Sequence, residues 1–204
     1  MSWPFGDLAP FSYDLIMADP PWSFKNWSKK GEHKNASAQY DCMDLEAIKA
    51  LPVQQLAAPD SLLWLWATNP MLDQAIDVLK GWGFTFVTAG TWVKLSKTGS
   101  KLAFGTGYAL RSANEPFLIG RVGSPKLSRS VRSALMAPVR EHSRKPDLAF
   151  TEAERLIAPQ AGIHAPRLLE LFSRQSRKGW DVWGNETEKF NSNDETVTEG
   201  EGDV

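Results

Sequence analysis

Cysteine is almost absent from this chain of 204 residues, because Cys42 is the single example. One cysteine excludes an intrachain disulfide and a zinc site built on several thiolates, and no cluster of metal ligands is visible elsewhere. No apolar run approaches the roughly 20 residues of a membrane-spanning helix. The amino terminus also lacks the basic region and the apolar core of a secretion signal. We therefore expect a soluble, cytoplasmic protein without a membrane partner.

The sequence also lacks the motif of a phosphate-binding loop. Glycines gather between residues 99 and 107, but no Lys-Ser/Thr pair ends this stretch, which excludes a nucleoside-triphosphate site of that type. What the chain has in quantity is apolar surface, since 42% of its residues are hydrophobic and nine of them are tryptophan. That content over this length predicts one domain with a sizeable core.

Short apolar runs between turn residues predict the strands of a sheet. They cover residues 13–18, 62–67, 84–94, 115–120, 167–174 and 180–186. Helical stretches are predicted at 44–51, 68–81 and 146–156, and a long basic loop at 121–144. The last helix is expected to place Leu148, Ala149 and Leu156 on its apolar face. This alternation predicts an α/β domain with a mostly parallel sheet and helices on both faces. We place the domain at residues 1–186 and expect the acidic residues 187–204 to form a disordered tail.

The most informative stretch is Asp19-Pro20-Pro21-Trp22, which directly follows the first predicted strand. Neither proline can donate to a strand ladder, so the strand must end there in a stiff turn. Ligands of open α/β sheets bind at this carboxyl end of the strands. The Asp19 carboxylate and the Pro20 carbonyl can accept hydrogen bonds from an exocyclic amine, and the Trp22 ring can stack on a flat base. For Asp-Pro-Pro alone, the alternative is a rigid loop that carries a surface acid.

This turn resembles the catalytic signature of amino-methyltransferases, and its tryptophan variant is similar to the adenine-N6 methyltransferase family of the MT-A-seventy type. The resemblance extends over roughly residues 13–186, because further signatures of that family stand in the same order along the chain. These signatures are Tyr40 with Met43, Leu65-Trp66, residues 91–94, Glu115, residues 144–147, residues 170–174 and residues 184–186. The tetrapeptide alone is moderately specific, whereas the ordered set is strongly specific.

The resemblance implies a Rossmann-like methyltransferase fold that uses S-adenosylmethionine. The motif order is permuted, so that the catalytic turn comes early and the cofactor strand late. The implied catalytic residues are Asp19, Pro20, Pro21 and Trp22. The implied cofactor residues are Asp19, Lys145, Glu170, Leu171, Phe172, Arg174, Asn185 and Glu186. The implied substrate-side residues are Tyr40, Trp66, Trp92 and Glu115.

Within the cofactor set, Lys145 would pair with the methionine carboxylate, while Arg174 and Asn185 would reach ribose hydroxyls. Judged without the family, Phe172 fits an ordinary core position about equally well, and Trp92 fits one better. Glu170 can equally be paired for structural reasons. The chain departs from the family pattern where Ser173 replaces a common glycine.

Charge is unevenly distributed, although the net charge is only −1. Residues 186–204 hold seven acids and one lysine, which leaves 17 acids and 22 bases in the rest of the chain. Seven bases and one acid lie between residues 121 and 145. We expect Arg129, Arg132 and Arg140, together with the polar loop 23–41, to flank the pocket and to bind nucleic-acid phosphates. A solvated loop is the alternative.

Together these features predict an S-adenosylmethionine-dependent enzyme that methylates the N6 amino group of adenine in nucleic acid. DNA is the expected substrate, because the chain is a compact catalytic core without a zinc finger or an RNA-recognition module, as in a small bacterial or phage enzyme. RNA is the alternative within the enzyme class. A catalytically silent nucleic-acid-binding paralogue is a different class, against which the intact Asp19-to-Trp22 signature counts. The sequence is compatible with a homodimer but does not indicate an oligomeric state.

Overall fold

The computed structural model describes residues 3–22, 43–107, 109–141, 144–162 and 164–191. The predicted loop 23–41, which includes Tyr40, lies outside these ranges, and so does the predicted tail beyond residue 191. Within the described ranges, we find no helix that is both long enough and apolar enough to span a membrane.

One sheet of seven strands forms the centre of the described residues. In chain order the strands are β1 (Tyr13–Ala18), β2 (Ala57–Trp66), β3 (Thr85–Leu95), β4 (Asn114–Val122), β5 (Ala134–Pro138), β6 (Leu168–Leu171) and β7 (Trp180–Trp183). Their order across the sheet is β5-β3-β4-β2-β1-β6-β7. Neighbouring strands are parallel except for β4, which is antiparallel to both β2 and β3. The predicted α/β fold with a mostly parallel sheet is therefore confirmed.

Helices cover both faces of this sheet. They are α1 (Leu45–Lys49), α2 (Leu72–Gly81) and α3 (Asp147–Ile157). A first hydrophobic core lies between one face and the pair α1 and α2, and a second core lies between the other face and α3. Because side chains alternate along a strand, β1 supplies Ile16 and Ala18 to the first core and Leu15 and Met17 to the second. The strand before the Asp19 turn is thus fixed from both sides.

The structure corrects the prediction in two places between residues 121 and 157. Strand β5 lies inside the segment that was predicted to be one long loop, and only Leu135 and Ala137 of this strand are buried. All residues of this strand are apolar, but none is β-branched or aromatic, so the run does not favour a strand over other structures. In α3, Leu148 was expected on the core face but is 37% exposed. The core face is formed by Ala149, Phe150, Ala153 and Ile157.

The direction of β4 decides which loops lie near the Asp19 turn. Its first residues, including Glu115, lie at the carboxyl edge of the sheet, where β1, β2 and β6 end. Its last residue, Val122, pairs with Ser61 near the opposite edge. The expectation that all of the basic segment leaves the sheet beside Asp19 is therefore wrong. The chain returns to the carboxyl edge only after β5, which runs parallel to β3.

Candidate active site

The Asp19 turn is tied by backbone hydrogen bonds to the elements on either side of it. The Asp19 amide donates to the carbonyl of Leu171 at the end of β6, at 3.4 Å. The Met43 amide donates to the Pro21 carbonyl at 3.2 Å. Since prolines cannot donate, the turn contributes the Asp19 amide as a donor and the Pro21 carbonyl as an acceptor. The turn is thereby held at the junction of β1 and β6.

Trp22 anchors the same turn to β2. Its side chain is 4% exposed and belongs to the first core. The indole N–H donates to the carbonyl of Trp66 at 3.1 Å, and the Trp22 amide donates to the Pro20 carbonyl at 2.8 Å. A buried indole usually needs such a partner. The contacts of Trp22 therefore support an anchoring role, and its predicted stacking on a base stays a prediction.

An alternating chain of four charged side chains begins at Asp19. Lys145 donates from Nζ to Asp19 Oδ2 and to Glu115 Oε1, each at 2.7 Å. Lys94 Nζ lies 2.8 Å from the other Glu115 oxygen. The Lys145 side chain is 8% exposed, so its charge depends on these carboxylates for compensation. Among the described residues, the Asp19 carboxylate forms its ion pair through Oδ2 alone.

Burial and neighbouring charges shift the pKa values of Glu115 and Lys145 in opposite directions. Burial raises the pKa of Glu115, but the ammonium groups of Lys145 and Lys94 outweigh it and lower that pKa to about 2. Burial lowers the pKa of Lys145, but the carboxylates of Asp19 and Glu115 raise it well above its ordinary value. Glu115 and Lys145 are therefore both charged at neutral pH.

A cleft opens beside Asp19, at the carboxyl ends of β1 and β6, and is called the Asp19 cleft below. Its lining includes five of the predicted site residues: Asp19, Lys145, Glu170, Phe172 and Arg174. The fold brings these residues together from three distant parts of the sequence. The Asp19 cleft consequently combines carboxylates, cations and an aromatic ring in one place.

The loop after β6 forms one wall of this cleft under close steric constraint. Phe172 has a φ of 62°, which is uncommon for a residue with a side chain and costs backbone energy. The Ser173 amide donates to the Trp183 carbonyl at 3.0 Å. A Cβ on Gly184 would lie 2.5 Å from the Ser173 carbonyl oxygen, so only glycine fits where the two strand exits meet. Such strained positions are typical of ligand sites.

Glu170 faces the same cleft with a perturbed carboxyl group. Burial is the largest influence and raises its pKa to about 7, although the Ser173 hydroxyl and Arg177 act in the opposite direction. The negative charge of Asp19 contributes to the increase. The Ser173 hydroxyl lies 2.9 Å from Glu170 Oε2. Glu170 is therefore partly protonated near neutral pH.

Five further residues line the Asp19 cleft but were not among the predicted site residues: Arg144, Phe150, Gln175, Arg177 and Phe190. Arg144 donates from Nε to Gln175 Oε1 at 2.9 Å, and the Arg177 guanidinium lies 3.7 Å from the centroid of the Phe150 ring. Each arginine lies within three residues of a predicted cofactor residue. Phe190 is the single large apolar side chain in a polar stretch. These were the signals available in the sequence.

Three predicted residues contribute buried packing near the site. Leu171 belongs to the first core, while Trp66 and Trp92 belong to the second. The Lys145 ammonium lies 5.3 Å from the centroid of the Trp66 ring. Trp92 is 3% exposed and donates from its indole to the Ala137 carbonyl of β5 at 2.9 Å. The core alternative for Trp92 agrees with this placement, and its substrate role stays a prediction.

Two cofactor residues implied by the family lie just beyond the cleft lining. Asn185 and Glu186 are exposed in the turn after β7. Glu186 Oε2 lies 3.8 Å from Arg174 Nε and also pairs with Lys189. The contact with Arg174 brings Glu186 to the rim of the Asp19 cleft. The role of Asn185 in cofactor binding stays a prediction.

The three predicted phosphate-binding arginines lie in different surroundings. Arg140, on the carboxyl side of β5, pairs with Asp147 at the start of α3. Arg129 and Arg132 are exposed on the segment that joins β4 and β5. The neighbouring Ser128 amide donates to the carbonyl of Leu156 in the last turn of α3, towards the opposite edge of the sheet. The structure thus separates Arg129 from the Asp19 cleft.

Comparison with known proteins assigns the chain to a family. Residues 13–186 match the MT-A70 family, which is most of the described chain and includes every cleft residue named above except Phe190. The chain belongs to the MT-A70 family. The resemblance inferred from the Asp19 turn and the ordered signatures is therefore confirmed.

Individual MT-A70 relatives differ in how much of their length this chain covers. It is 31% identical over 179 residues to the N(6)-adenosine-methyltransferase MT-A70-like of Arabidopsis thaliana, covering 86% of the chain and 24% of that protein. It is 28% identical over 201 residues to the Type II methyltransferase M.MunI of Mycoplasma sp, and this match covers 89% of the chain and 81% of that protein. It is 29% identical over 186 residues to the N6-methyladenosine RNA methyltransferase MTA1 of Cryphonectria parasitica, and this match covers 87% of the chain and 52% of that protein. The chain thus spans about a quarter of the length of its plant relatives.

Proposed function

We propose that this chain transfers a methyl group from S-adenosylmethionine to the N6 amino group of adenine in nucleic acid. One observation carries the proposal: the Asp19 carboxylate, at the start of the proline turn, lines the Asp19 cleft, and Lys145 fixes one of its oxygens. A single acid can then face a cofactor on one side and a base on the other. Membership of the MT-A70 family supports the same activity.

The side chains of the Asp19 cleft suit S-adenosylmethionine in their chemistry. The carboxylates of Asp19 and Glu170 complement its ammonium and sulfonium centres, and Lys145 and Arg174 complement its carboxylate and hydroxyls. The Phe172 ring suits its flat adenine.

The bound cofactor would supply an electrophilic methyl group on a positively charged sulfur. The task of the protein is to position the amine, because its lone pair is delocalised into the adenine ring and makes a poor nucleophile. Hydrogen bonds from the amino group to Asp19 Oδ1 and the Pro20 carbonyl would orient the nitrogen and stabilise the positive charge that develops on it. The methylated nitrogen then loses a proton, either to Asp19 or to water.

DNA is the first substrate that we propose. The chain matches the Type II methyltransferase over 81% of that protein, a larger share than for the other two relatives described above. The relative named as an RNA methyltransferase makes RNA the second candidate. If the substrate is a duplex, the target adenine must leave the base stack to reach the turn.

Transfer of a labelled methyl group tests this proposal. The protein is incubated with methyl-deuterated S-adenosylmethionine and with single-stranded DNA, duplex DNA or RNA, and the digested nucleosides are analysed by mass spectrometry. We expect deuterated N6-methyldeoxyadenosine to be the main product. Label in RNA alone would favour the second substrate. Cofactor binding in calorimetry without label in any nucleic acid would contradict the enzyme and favour a silent paralogue.

A further inference from the structure

The chain continues after β7 in a turn that folds back over the exit loop of β6. Residues 186–191 form this turn and are called the C-terminal strap. The Phe190 amide donates to the Arg174 carbonyl at 3.1 Å. Asn191 Oδ1 accepts from the Ser176 amide at 2.8 Å and from the Ser176 hydroxyl at 3.1 Å. These bonds fix the end of the C-terminal strap against the wall of the Asp19 cleft.

Phe190 is buried in surroundings that differ from those of an ordinary core phenylalanine. Its side chain is 9% exposed, yet it belongs to neither of the two hydrophobic cores. It lines the Asp19 cleft instead, among charged groups that include Asp19, Lys145 and Arg174. The Phe190 ring is therefore placed at the wall of a cleft, where it can contact a ligand, and not inside a core.

Arg144 lies against the Phe190 ring. Its guanidinium lies 5.4 Å from the ring centroid, within the range of a cation–π contact. Arg144 is itself 7% exposed and is held by the hydrogen bond from its Nε to Gln175. The orientation of the Phe190 ring therefore depends on a buried arginine as well as on the backbone of the C-terminal strap.

We propose that Phe190 is a cofactor-binding residue that contacts the adenosine part of S-adenosylmethionine, and that Arg144 is its positioning residue. The inference rests on the proposed function. Adenine is the flat, apolar part of that cofactor, and the aromatic rings of the cleft lining are Phe172, Phe150 and Phe190. The Phe190 amide bonds to the carbonyl of Arg174, two residues after Phe172. Phe190 thus adds to the cofactor site from a position beyond residue 186, where the family match ends.

Calorimetry with S-adenosylmethionine, S-adenosylhomocysteine and adenosine tests the inference. Because the three ligands share adenosine, Phe190→Ala should weaken all of them by a similar factor, roughly tenfold for the loss of one aromatic stack. Phe190→Leu keeps the apolar volume and should give a smaller loss at an unchanged melting temperature. Glu188→Gln, at an exposed neighbour in the same strap, is the matched control and should bind as the wild type does.

A double-mutant cycle tests the positioning role of Arg144. If Arg144 acts through the ring, Arg144→Gln should weaken adenosine binding in the wild type and have little further effect in Phe190→Ala. Additive losses would show that Arg144 contacts the ligand directly and would contradict the positioning role. Unchanged or tighter binding by Phe190→Ala and Phe190→Leu would overturn the role of Phe190. Failure of the wild type to bind any of the three ligands would instead refute the proposed function, and this inference with it.

Discussion

Lys145 is the residue on which the charges of the site depend most strongly. Its ammonium compensates both Asp19 and Glu115, and its side chain is 8% exposed. Lys145→Ala should therefore lower the free energy of unfolding by about 3 kcal/mol, as expected when one partner of a buried ion pair is removed. It should also weaken S-adenosylmethionine binding without nucleic acid. Urea unfolding and calorimetry measure the two effects.

Lys80→Ala is a suitable control, since Lys80 is exposed in the last turn of α2. Its effects on the free energy of unfolding and on the affinity for S-adenosylmethionine should be small. Loss of stability with unchanged cofactor affinity would show that Lys145 serves only to compensate the two carboxylates. Unchanged stability would contradict the importance of the buried charge chain.

Glu170 should make stability depend on pH in a defined direction. Its pKa in the folded protein is about 7, above the ordinary value of 4.5, so the folded state binds more protons than the unfolded state between these values. The stability that it contributes is thus fully present below about pH 4.5 and is lost as the pH rises through about 7. Relative to Glu170→Gln, the wild type should lose stability between pH 5 and pH 8, by roughly 2–3 kcal/mol.

Urea unfolding of the wild type and of Glu170→Gln at these two pH values, 5 and 8, measures the difference in stability. Glu188→Gln is the matched control, because Glu188 is exposed in the C-terminal strap. A pH-independent difference between the wild type and Glu170→Gln would show that the carboxyl group is ionised throughout this range.

The sequence predicted the chemistry of individual residues better than their contacts. Asp19, Lys145 and Phe172 were predicted as site residues, and the fold places them in one cleft. The ion pairs of Lys145 with Asp19 and Glu115 could not be predicted, because they join residues that are far apart in sequence. Trp22 was expected to be open to a base, whereas the structure buries it against the Trp66 carbonyl.

At the scale of elements, the direction of β4 changes the expected nucleic-acid surface. Val122 leaves the sheet near the edge opposite Asp19, whereas the chain after β5 returns to it. Arg140→Ala should therefore reduce the slope of log affinity against log salt by about one phosphate contact, near 0.9 for duplex DNA. The double variant Arg129→Ala/Arg132→Ala removes two charges of the same segment and should leave the slope unchanged.

Binding titrations on one duplex at several salt concentrations separate these outcomes. Cofactor affinity should stay constant in both variants, which controls for damage to the Asp19 cleft. A smaller slope in the double variant, with no change in Arg140→Ala, would mean that the nucleic acid binds on the side of Arg129.

Element types were more predictable than element directions. Apolar runs indicated six of the seven strands, because β1, β2 and β4 bury nearly continuous stretches. Strand β5 contains no β-branched or aromatic residue and gave no comparable signal. An antiparallel strand has the same apolar pattern as a buried parallel one, so the sequence could not show that β4 is reversed. The wrong expectation that all of the basic segment leaves the sheet beside Asp19 followed from that reversal.

At the scale of the whole molecule, the sheet gathers one site from residues between Asp19 and Phe190. The carboxyl ends of β1 and β6 supply the Asp19 turn and the loop of Phe172, and the reversed β4 supplies Glu115 to the same edge. The loop after β5 adds Lys145, and the C-terminal strap adds Phe190. A site of this composition requires the intact domain.

The central claim is that Asp19 positions the amine for methyl transfer, and Asp19→Ala tests it most directly. Methyl transfer to nucleic acid is followed with deuterated S-adenosylmethionine, and cofactor affinity is measured on the same preparation by calorimetry. Asp77→Ala, an exposed acid on α2, is the control. We predict that Asp19→Ala lowers the transfer rate by at least about 10²–10³-fold, the scale for removing one group that stabilises developing charge. Cofactor affinity should fall far less, and transfer at the wild-type rate by Asp19→Ala would contradict the account.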